Sequence, residues 1–411
     1  MTNADIQDIE ITGWTHGGEG VGHLNDGRAV FVAGTIPGET VRADVTVKQK
    51  RFARANLVDV LESSPHRVAP ACTCPGCVLS YIDPNHQLAL KRRTIIEQVE
   101  RIGHIADPPV DQPVTPTAWP TGYRATARVV LTDDGRIGFS ANKSHEIVPI
   151  DRCVTFTPSL LRLVETMDGH WAGAEMLRLL ATDTEHLVEV YPGEGGLPSA
   201  PDGDYTYAIV TVGEPAIMRG SGHVTMPISP SSVPPFALQV SAGSFFQSGP
   251  SPAATLVDVV LEAAQVQPDD DVVDLYAGVG LFTLPLARLA RHVTSVESSQ
   301  TATDDAVANL ADTSVTVYHD DCTDWLKNGY CPPGAVVVLD PPRSGAGDET
   351  IQLLAATSPQ RVVHVACDVA ALARDLASWV KAGYHLERIT PVDMFAHTAH
   401  IEAVATLTLG E

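Results

Sequence analysis

The sequence predicts a multidomain protein with a small N-terminal β-barrel, a central α+β domain and a C-terminal α/β domain built on a parallel sheet. Short β-branched segments between glycine-rich turns fill roughly the first 62 residues, a pattern typical of small all-β domains. After about residue 252, apolar strand-like segments alternate with helix-like ones, which indicates a parallel sheet covered by helices on both faces. The 411 residues are enough for two or three domains.

The predicted barrel spans residues 1–64. Its segment HGGEGVGHLNDG holds five glycines in twelve residues and precedes the strand-like segments RAVFV, ETVRADVTV and NLVDVLES. Glycine-rich turns between β-branched runs favour a meander of short strands. A proline-rich stretch near residues 65–75 closes this domain.

The predicted central domain spans residues 65–235. Its segment HQLALKRRTIIEQVERIGH, at 86–104, has apolar residues at helical spacing. A proline-rich linker, DPPVDQPVTPTAWP, follows it, and strand patterns return from 122 to about 235. The sequence YRATARVVLTDDGRIGFS predicts a hairpin that turns at Asp133-Asp134-Gly135.

Charge and hydropathy restrict the class of protein. The formal net charge is -23, which argues against a broad basic face of the kind that binds nucleic acid, but allows local basic strips. No apolar run approaches the roughly 18 residues of a membrane span, and the acidic start MTNADIQDIE does not resemble a signal peptide. We therefore expect a cytoplasmic protein with reduced thiols and no membrane partner. The two local strips are Lys48, Lys50, Arg51 and Arg54, and Lys91, Arg92 and Arg93.

The C-terminal domain is predicted to span residues 236–411, and its strand ends carry candidate ligand-binding residues. Ligands of parallel sheets bind beyond the carboxyl ends of the strands. Glycines there let a ligand approach the backbone, and carboxylates can accept hydrogen bonds from ribose hydroxyls or an exocyclic amine. Each residue alone could be a turn, a helix cap or a surface charge, but together they indicate an adenosine-bearing cofactor without a pyrophosphate, and S-adenosylmethionine fits best. The candidates are Tyr276, Gly278, Gly280, Glu297, Asp321 and Asp340.

Cys367 ends the apolar segment VVHVA and precedes a helix-like segment. A thiolate in such a position is a strong nucleophile, although a buried structural thiol is the simpler alternative. Pyrimidine C5 becomes nucleophilic when a thiolate adds across the C5–C6 bond, and a base must later remove the C5 proton. Glu402, early in the last apolar strand, is the candidate base. The alternative interpretation of Glu402 is a charged residue at a strand end without a catalytic role.

Several motifs occur in the order found in one enzyme family: SAGSFFQSG, VVDLYAGVGLFTLPLAR, VTSVE, VVVLDPPRSGA, VVHVACDVAALARD and DMFAHTAHIEAV. The chain resembles the bacterial uridine-5 methyltransferases that act on tRNA and 23S rRNA. Its N-terminal GGEGVGHLNDGRAVFVAGTIPGETV is similar to the TRAM domain, an OB-like RNA-binding barrel. The resemblance implies a class I, Rossmann-like methyltransferase domain that uses S-adenosylmethionine.

The resemblance also assigns roles to residues. Cys367 matches the nucleophile that attacks uracil C6, and Glu402 matches the base that removes the C5 proton. It implies a structured RNA partner, either 23S rRNA or tRNA, and a segment at about 87–118 that packs on the catalytic domain. We also expect a monomer that does not bind DNA. The positions that match cofactor or uracil contacts are Gln247, Tyr276, Glu297, Asp321 and Asp340.

Two positions depart from the family pattern. Many members have asparagine where this chain has Leu281, which predicts the loss of a polar cofactor contact. Asp368 replaces the asparagine that usually follows the nucleophile. A carboxylate next to Cys367 is expected to oppose formation of the thiolate.

Four cysteines match a further feature of some relatives, which hold a 4Fe–4S cluster through three clustered cysteines and a distant one. Four thiolates can also bind zinc, and the absence of any metal is a third reading. Two other functions stay open: a non-catalytic RNA-binding protein with a structural cluster, and a methyltransferase for another base. The four cysteines are Cys72, Cys74, Cys77 and Cys153.

Overall fold

The computed structural model describes residues 5–141, 146–150, 152–193, 200–211 and 215–410. It confirms the predicted fold class, with an N-terminal barrel, a central α+β domain and a C-terminal α/β domain. Within these residues, no helix has the length and apolar character needed to cross a lipid bilayer.

The N-terminal domain is a six-stranded sheet in the order β1-β5-β6-β4-β3-β2. The stretch that contains β1 and β2 pairs with β5 at its beginning and with β3 at its end, which closes the sheet on itself. Alternate residues point inward, as the period of a strand requires, and form a core that includes Ile9, Val30 and Val41. The strands are β1 (Ile6–Glu10), β2 (Gly13–Trp14), β3 (Glu19–His23), β4 (Ala29–Ala33), β5 (Thr40–Lys48) and β6 (Phe52–Glu62).

The predicted helix near residues 86–104 is α1 (Pro84–Arg101). The Asp83 carboxylate caps it by accepting hydrogen bonds from the Asn85 and His86 amides, which satisfies two of the amides that a helix leaves unpaired at its start. Its apolar face, which includes Ile95 and Val99, packs into the core of the C-terminal domain.

The central domain contains a seven-stranded sheet in the order β13-β12-β11-β10-β7-β8-β9. The predicted turn at 133–135 joins β7 to β8, which pair in antiparallel fashion. The elements are β7 (Thr126–Leu131), β8 (Ile137–Ser140), β9 (Ile147–Pro149), α2 (Pro158–Met167), β10 (Ala174–Ala181), β11 (His186–Pro192), β12 (Thr206–Ile209) and β13 (Ala216–Arg219).

A separate hairpin connects the central and C-terminal domains. It consists of β14 (His223–Ile228) and β15 (Phe236–Ser241), which pair along their whole length. The predicted domain boundary at 235/236 falls in the loop of this hairpin. Its buried residues Val224 and Leu238 belong to the same core as Leu256 of the next helix, so the hairpin packs with the C-terminal domain.

The C-terminal domain has a seven-stranded sheet in the order β18-β17-β16-β19-β20-β22-β21. The first five strands in this order are parallel, and β22 pairs in antiparallel fashion with both β20 and β21. The elements are α3 (Pro250–Ala264), β16 (Asp271–Leu275), α4 (Thr283–Ala287), β17 (His292–Glu297), α5 (Gln300–Asn309), β18 (Val315–His319), α6 (Cys322–Lys327), β19 (Val336–Leu339), α7 (Asp348–Ala356), β20 (Arg361–Ala366), α8 (Val369–Lys381), β21 (Tyr384–Val392) and β22 (Glu402–Leu409).

The segment from α1 onward lies against this C-terminal domain. Val110 and Val114 form bridges to Ile389 and Val392 in β21. The Lys91 ammonium lies 2.6 Å from the Asp393 carboxylate, and both side chains are almost completely buried, at 2% and 0% exposure. Because a buried charge without a partner is costly, this pair ties α1 to the loop that follows β21.

We expect Asp393→Leu to destabilise the protein by about 3–5 kcal/mol, because it leaves the Lys91 charge buried without its counterion. The double variant Lys91→Met/Asp393→Leu should recover most of this loss, since no charge remains. Urea denaturation followed by intrinsic tryptophan fluorescence measures both effects.

The matched control is Arg93→Gln, which breaks the exposed pair between Arg93 and Glu97 on the same helix. Such a pair contributes about 0.2–0.5 kcal/mol. If Asp393→Leu and Arg93→Gln shift the urea midpoint equally, the buried pair does not have the importance we assign to it.

Candidate active site

Cys367 lies at the carboxyl end of β20, directly before α8. The register of the neighbouring strand pairs Ala366 with Ala403, so Glu402, one residue earlier, is at the same edge of the sheet. Asp340 follows β19, the other neighbour of β20. Three chemically active side chains from three adjacent strands therefore converge at one point of the sheet.

Burial raises the pKa of the Cys367 thiol to about 11, and the nearby charges of Glu402 and Asp340 add to this effect. The positive charge of Arg343 acts in the opposite direction. In this structure Cys367 is therefore a neutral thiol at neutral pH, and it needs a positive field or a bound substrate to become a thiolate.

Glu402 is buried, with 4% of its surface exposed. Burial, and then the charge of Asp340, raises the pKa of Glu402 well above its usual value. Its Oε2 atom has no hydrogen-bond partner in the described part of the chain. A buried carboxyl group with a raised pKa and an oxygen without a partner is suited to exchanging a proton with a bound molecule.

Asp340 has a similar environment. Burial raises its pKa to about 7, while a hydrogen bond from the Gln247 side chain, at 3.3 Å, opposes the rise. This contact joins Gln247 to the site from a distant part of the sequence.

Asp368 has a structural role that the sequence did not indicate. Its carboxylate accepts a hydrogen bond of 2.8 Å from the Ala371 amide and caps α8. The carboxylates that raise the Cys367 pKa are chiefly those of Glu402 and Asp340 on the neighbouring strands. The residue after the nucleophile thus stabilises the helix that follows it.

A cavity of about 580 Å³ opens above Cys367. The barrel contributes Gly17 to its wall, the central domain contributes Phe139, and α1 contributes Thr94. Arg343 and Ile401 line it from the C-terminal domain. The cavity is large enough for a nucleotide-sized group, and it exists only because all three domains meet at this point.

A second, smaller cleft lies beyond the ends of β16 and β19. Gly278, with φ of +55°, has no atom within 4 Å of the position that a Cβ would take, so its backbone is open to a ligand. Glu297 accepts hydrogen bonds from the Gly278 and Ser299 amides, and it thereby shapes the same turn. The cleft contains four of the predicted cofactor residues, Gln247, Tyr276, Gly278 and Asp340.

The remaining predicted cofactor residues lie outside the lining of this cleft. Gly280 is in the same turn, but a Cβ there would face Leu310. Asp321 caps α6 by accepting hydrogen bonds from the Thr323 and Asp324 amides. The rest of the lining is apolar. Sequence reasoning marked Leu281 there only as a lost polar contact, and it missed Phe245, Phe246, Val279 and Phe282.

The four cysteines of the predicted cluster converge in the structure. The sulfur atoms of Cys72, Cys74 and Cys153 lie within 4.8 Å of one another. The sulfur of Cys77 lies 3.9 Å from that of Cys153. Four thiols brought together from two distant segments are a ligand set suited to a thiolate-bound metal centre.

The cysteine loop is joined directly to the loop that precedes Glu402. The Leu79 amide donates a hydrogen bond of 2.9 Å to the His397 carbonyl. The buried Gln87 amide group donates to the Leu79 and Ile82 carbonyls and accepts from the His397 amide. The cysteine cluster and the active site therefore share one hydrogen-bonded framework.

Comparison with protein families identifies three segments of the chain. Residues 2–58 match the TRAM domain, and residues 333–409 match the tRNA (Uracil-5-)-methyltransferase family. Residues 253–328, which include the turn at Gly278, match the ribosomal RNA adenine dimethylase family.

Whole-length relatives agree with the family matches. The 23S rRNA (uracil(1939)-C(5))-methyltransferase RlmD of Alkalilimnicola ehrlichii is 34% identical over 97% of this chain and 95% of the relative. An uncharacterized RNA methyltransferase of Corynebacterium efficiens is 32% identical over 99% of this chain and 96% of the relative. The chain belongs to the RNA (uracil-C5) methyltransferase family.

A solved structure supports the fold of this methyltransferase. The Pyrococcus abyssi tRNA (uracil-54, C5)-methyltransferase, crystallised with S-adenosyl-L-homocysteine, superposes with a TM-score of 0.75. The two are 24% identical, and the match covers 98% of this chain and all of the other. The similarity extends to the arrangement of all three domains.

Sequence reasoning also missed residues of this methyltransferase that act on the site through charge. Arg343 influences both Cys367 and Glu402, and its position directly after Asp-Pro-Pro at a strand end was an available signal. Lys91 lines the cavity above Cys367, although it lies more than 270 residues away in the sequence, and no local pattern indicates this proximity.

The raised pKa of Cys367 predicts its reactivity. Alkylation of Cys367 by iodoacetamide should accelerate about tenfold per pH unit from pH 7 towards the pKa of about 11, because only the thiolate reacts. Arg343→Gln should slow the reaction at pH 8, since it removes the positive charge that favours the thiolate. Mass spectrometry of the peptide that contains Cys367 measures the rate, and a plateau below pH 8 would contradict the assignment.

Proposed function

We propose that this protein forms 5-methyluridine in structured RNA, either 23S rRNA or tRNA, through a covalent bond between Cys367 and uracil C6. The observation that supports the proposal most directly is the strand register, which brings Cys367 and the buried carboxyl group of Glu402 to one edge of the sheet below a nucleotide-sized cavity. The target uridine would leave its stack to enter this cavity, at a cost of a few kcal/mol.

The proposed reaction begins when Cys367 loses its proton to water and its sulfur forms a bond to C6. The electrons of the C5–C6 double bond move to give an enolate, with the negative charge shared between C5 and the C4 oxygen. Bound in the neighbouring cleft, S-adenosylmethionine would supply the methyl group: its sulfonium–methyl bond would break as C5 takes the methyl, and S-adenosylhomocysteine would be left. Glu402, in its ionised form, then takes the C5 proton, the C5–H electron pair re-forms the C5–C6 double bond, and the C6–S bond breaks to release the Cys367 thiolate.

The small cleft provides the residues that would hold S-adenosylmethionine. We assign to Glu297, at the end of β17 and beside this cleft, the acceptance of hydrogen bonds from ribose hydroxyls, and the open backbone at Gly278 allows close approach. Gln247 and Asp340 connect this cleft to Cys367 and Glu402. We assign Asp321, at the next strand end, to the adenine amine, and Gly280 to the shape of the turn.

The domains would have separate roles in RNA binding and in catalysis. The TRAM barrel, residues 1–64, and the central domain, residues 65–235, would hold the RNA, while residues 236–411 carry out the chemistry. The segment at 87–118 belongs to the catalytic part by its contacts, because α1 and the following linker pack on α8 and β21. We expect a monomer that acts on RNA in the cytoplasm and not on DNA.

We propose that the four clustered cysteines hold a metal centre, which the family resemblance predicts to be a 4Fe–4S cluster. The support from this chain is the convergence of four thiols. Because the cysteine loop is hydrogen-bonded to the loop before Glu402, a centre held there would stabilise the base-bearing side of the active site.

The two catalytic residues have different expected phenotypes. Cys367→Ala should abolish 5-methyluridine formation while S-adenosylmethionine binding, measured by calorimetry, stays unchanged, because the thiol is outside the cofactor cleft. Glu402→Gln should accumulate a covalent complex with RNA, since the C5 proton can no longer be removed. Denaturing gel electrophoresis with labelled total RNA detects the complex as a band of reduced mobility.

The double variant Cys367→Ala/Glu402→Gln is the matched control and should form no complex. Full turnover by Cys367→Ala would refute the covalent mechanism. If Glu402→Gln forms no complex and retains activity, another residue is the base. Methylation at a base other than uridine, seen by nucleoside mass spectrometry, would favour the alternative substrate.

Substitution of a clustered cysteine tests the metal centre. Cys153→Ser should remove the bound iron and the broad visible absorbance of an iron–sulfur cluster from anaerobically purified protein, because one of the four ligands is lost. Cys331→Ser is the control, since this buried thiol lies beside Thr357, away from the cluster. Stoichiometric zinc without visible absorbance would replace the iron–sulfur assignment, and neither metal would refute a metal centre.

A further inference from the structure

The segment at 241–247, SAGSFFQ, leads from the hairpin of β14 and β15 to helix α3 and forms one wall of the small cleft. It contributes Phe245, Phe246 and Gln247 to the lining. After β15 ends at Ser241, the segment has neither helical nor strand structure. Its conformation therefore depends on contacts with its neighbours, because the chain has to be held against the entropy of an irregular loop.

A buried carboxylate of α5, that of Asp305, holds the beginning of this segment. Asp305 is 1% exposed. It accepts hydrogen bonds from the Ser241 amide at 2.8 Å, from the Ser241 hydroxyl at 2.6 Å and from the Ser244 hydroxyl at 2.6 Å. A fourth hydrogen bond comes from the Gln239 side chain of β15 at 2.9 Å. Because the Ser244 amide also donates to the Ser241 carbonyl, one carboxylate fixes a closed turn at the start of the segment.

The central domain holds the same turn from the other side. The buried Glu189 carboxylate of β11, which pairs with Arg178, accepts a hydrogen bond of 3.1 Å from the Gly243 amide. Gly243 has φ of +89°, and a Cβ there would lie 3.0 Å from Pro215 of the central domain and 3.5 Å from Thr301 of α5. The turn is thus packed between α5 and the central domain.

Helix α5 also holds the opposite wall of the cleft. The Asn309 side chain donates to the Gln239 carbonyl at 3.1 Å and to the Val279 carbonyl at 2.9 Å. Val279 belongs to the turn after β16 that lines the cleft. Across the cleft, the Gln247 side chain donates to Asp340 at 3.3 Å. One helix therefore sets the spacing between the two walls.

We propose that Asp305 is a positioning residue for cofactor binding, because its carboxylate fixes the segment at 241–247 so that Gln247 faces the small cleft and reaches Asp340. Glu189 supports the same turn from the central domain. This inference rests on the proposed function, which assigns S-adenosylmethionine to this cleft, and adds to it a group that lies outside the lining. A wall that is fixed before the ligand arrives loses less conformational entropy on binding, which strengthens the affinity.

The test is the affinity of the full-length protein for S-adenosylmethionine, measured by calorimetry without RNA. Asp305→Asn keeps the size of the side chain, but whichever way its amide turns, the NH₂ group faces two of the four donors. We expect this variant to bind the cofactor about tenfold more weakly, because the wall of the cleft is no longer held in place. Urea denaturation identifies conditions in which every variant is folded.

The matched control is Asp258→Asn, at the other end of the same hairpin. The Asp258 carboxylate of α3 accepts four hydrogen bonds, from the amides and hydroxyls of Ser231 and Ser232 in the loop between β14 and β15. It makes as many hydrogen bonds as Asp305, but to a loop outside the lining of the small cleft. Both variants should lower the urea midpoint, and only Asp305→Asn should weaken cofactor binding.

Equal cofactor affinity in the wild type and Asp305→Asn would overturn the inference, as would a wild type that does not bind the cofactor. An equal loss of affinity in Asp305→Asn and Asp258→Asn would also overturn it, because general destabilisation would then explain the effect. If Asp305→Asn does not fold, Ser244→Ala and Ser232→Ala decide, since each removes one hydroxyl donor from one of the two carboxylates. Only Ser244→Ala should weaken cofactor binding, by about threefold, and equal affinity in this pair would overturn the inference.

The same proteins separate this inference from the proposed function. Formation of 5-methyluridine by the wild type, with unchanged cofactor affinity in Asp305→Asn, would overturn the positioning role and leave the catalytic proposal intact. The expected loss of affinity in Asp305→Asn, together with a fully active Cys367→Ala variant, would overturn the covalent mechanism and leave the positioning role intact.

Discussion

The antiparallel register between β20 and β22 is the constraint on which the active site depends. Ala366 pairs with Ala403, so the residue after β20 and the first residue of β22 occupy the same edge of the sheet. Because side chains alternate between the two faces of a strand, a slip of one residue would move Glu402 to the other face of the sheet. The buried residues on both faces of β22, such as Val404 and Leu407, exclude that slip.

The loop between β21 and β22 connects this edge to the rest of the molecule. Asp393 at its beginning pairs with Lys91 of α1, and His397 in its middle is held by Gln87 and by the cysteine loop. The Tyr123 hydroxyl donates to the Ala396 carbonyl and adds the central domain. A single loop thus joins helix α1, the cysteine cluster and the central domain to the strand that carries Glu402.

Burial and charge control the protonation of the side chains at this edge of the sheet. Burial raises the pKa of Cys367, Glu402 and Asp340, and the charges of neighbouring carboxylates raise it further for Cys367 and Glu402. Arg343 opposes this for the thiol and for Glu402.

The sequence by itself determined the fold class, the order of the strands along the chain and the residues at their ends, because these follow from local apolar patterns and turn residues. The family motifs indicated Cys367, Glu402 and the cysteine cluster. Only the tertiary structure decided that Asp368 caps α8, that Asp321 caps α6 and lies outside the lining of the cofactor cleft, and that Lys91 lines the catalytic cavity. Those roles depend on contacts between residues far apart in the chain, whose energies come from burial and charge in the folded state and leave no periodic pattern in the sequence.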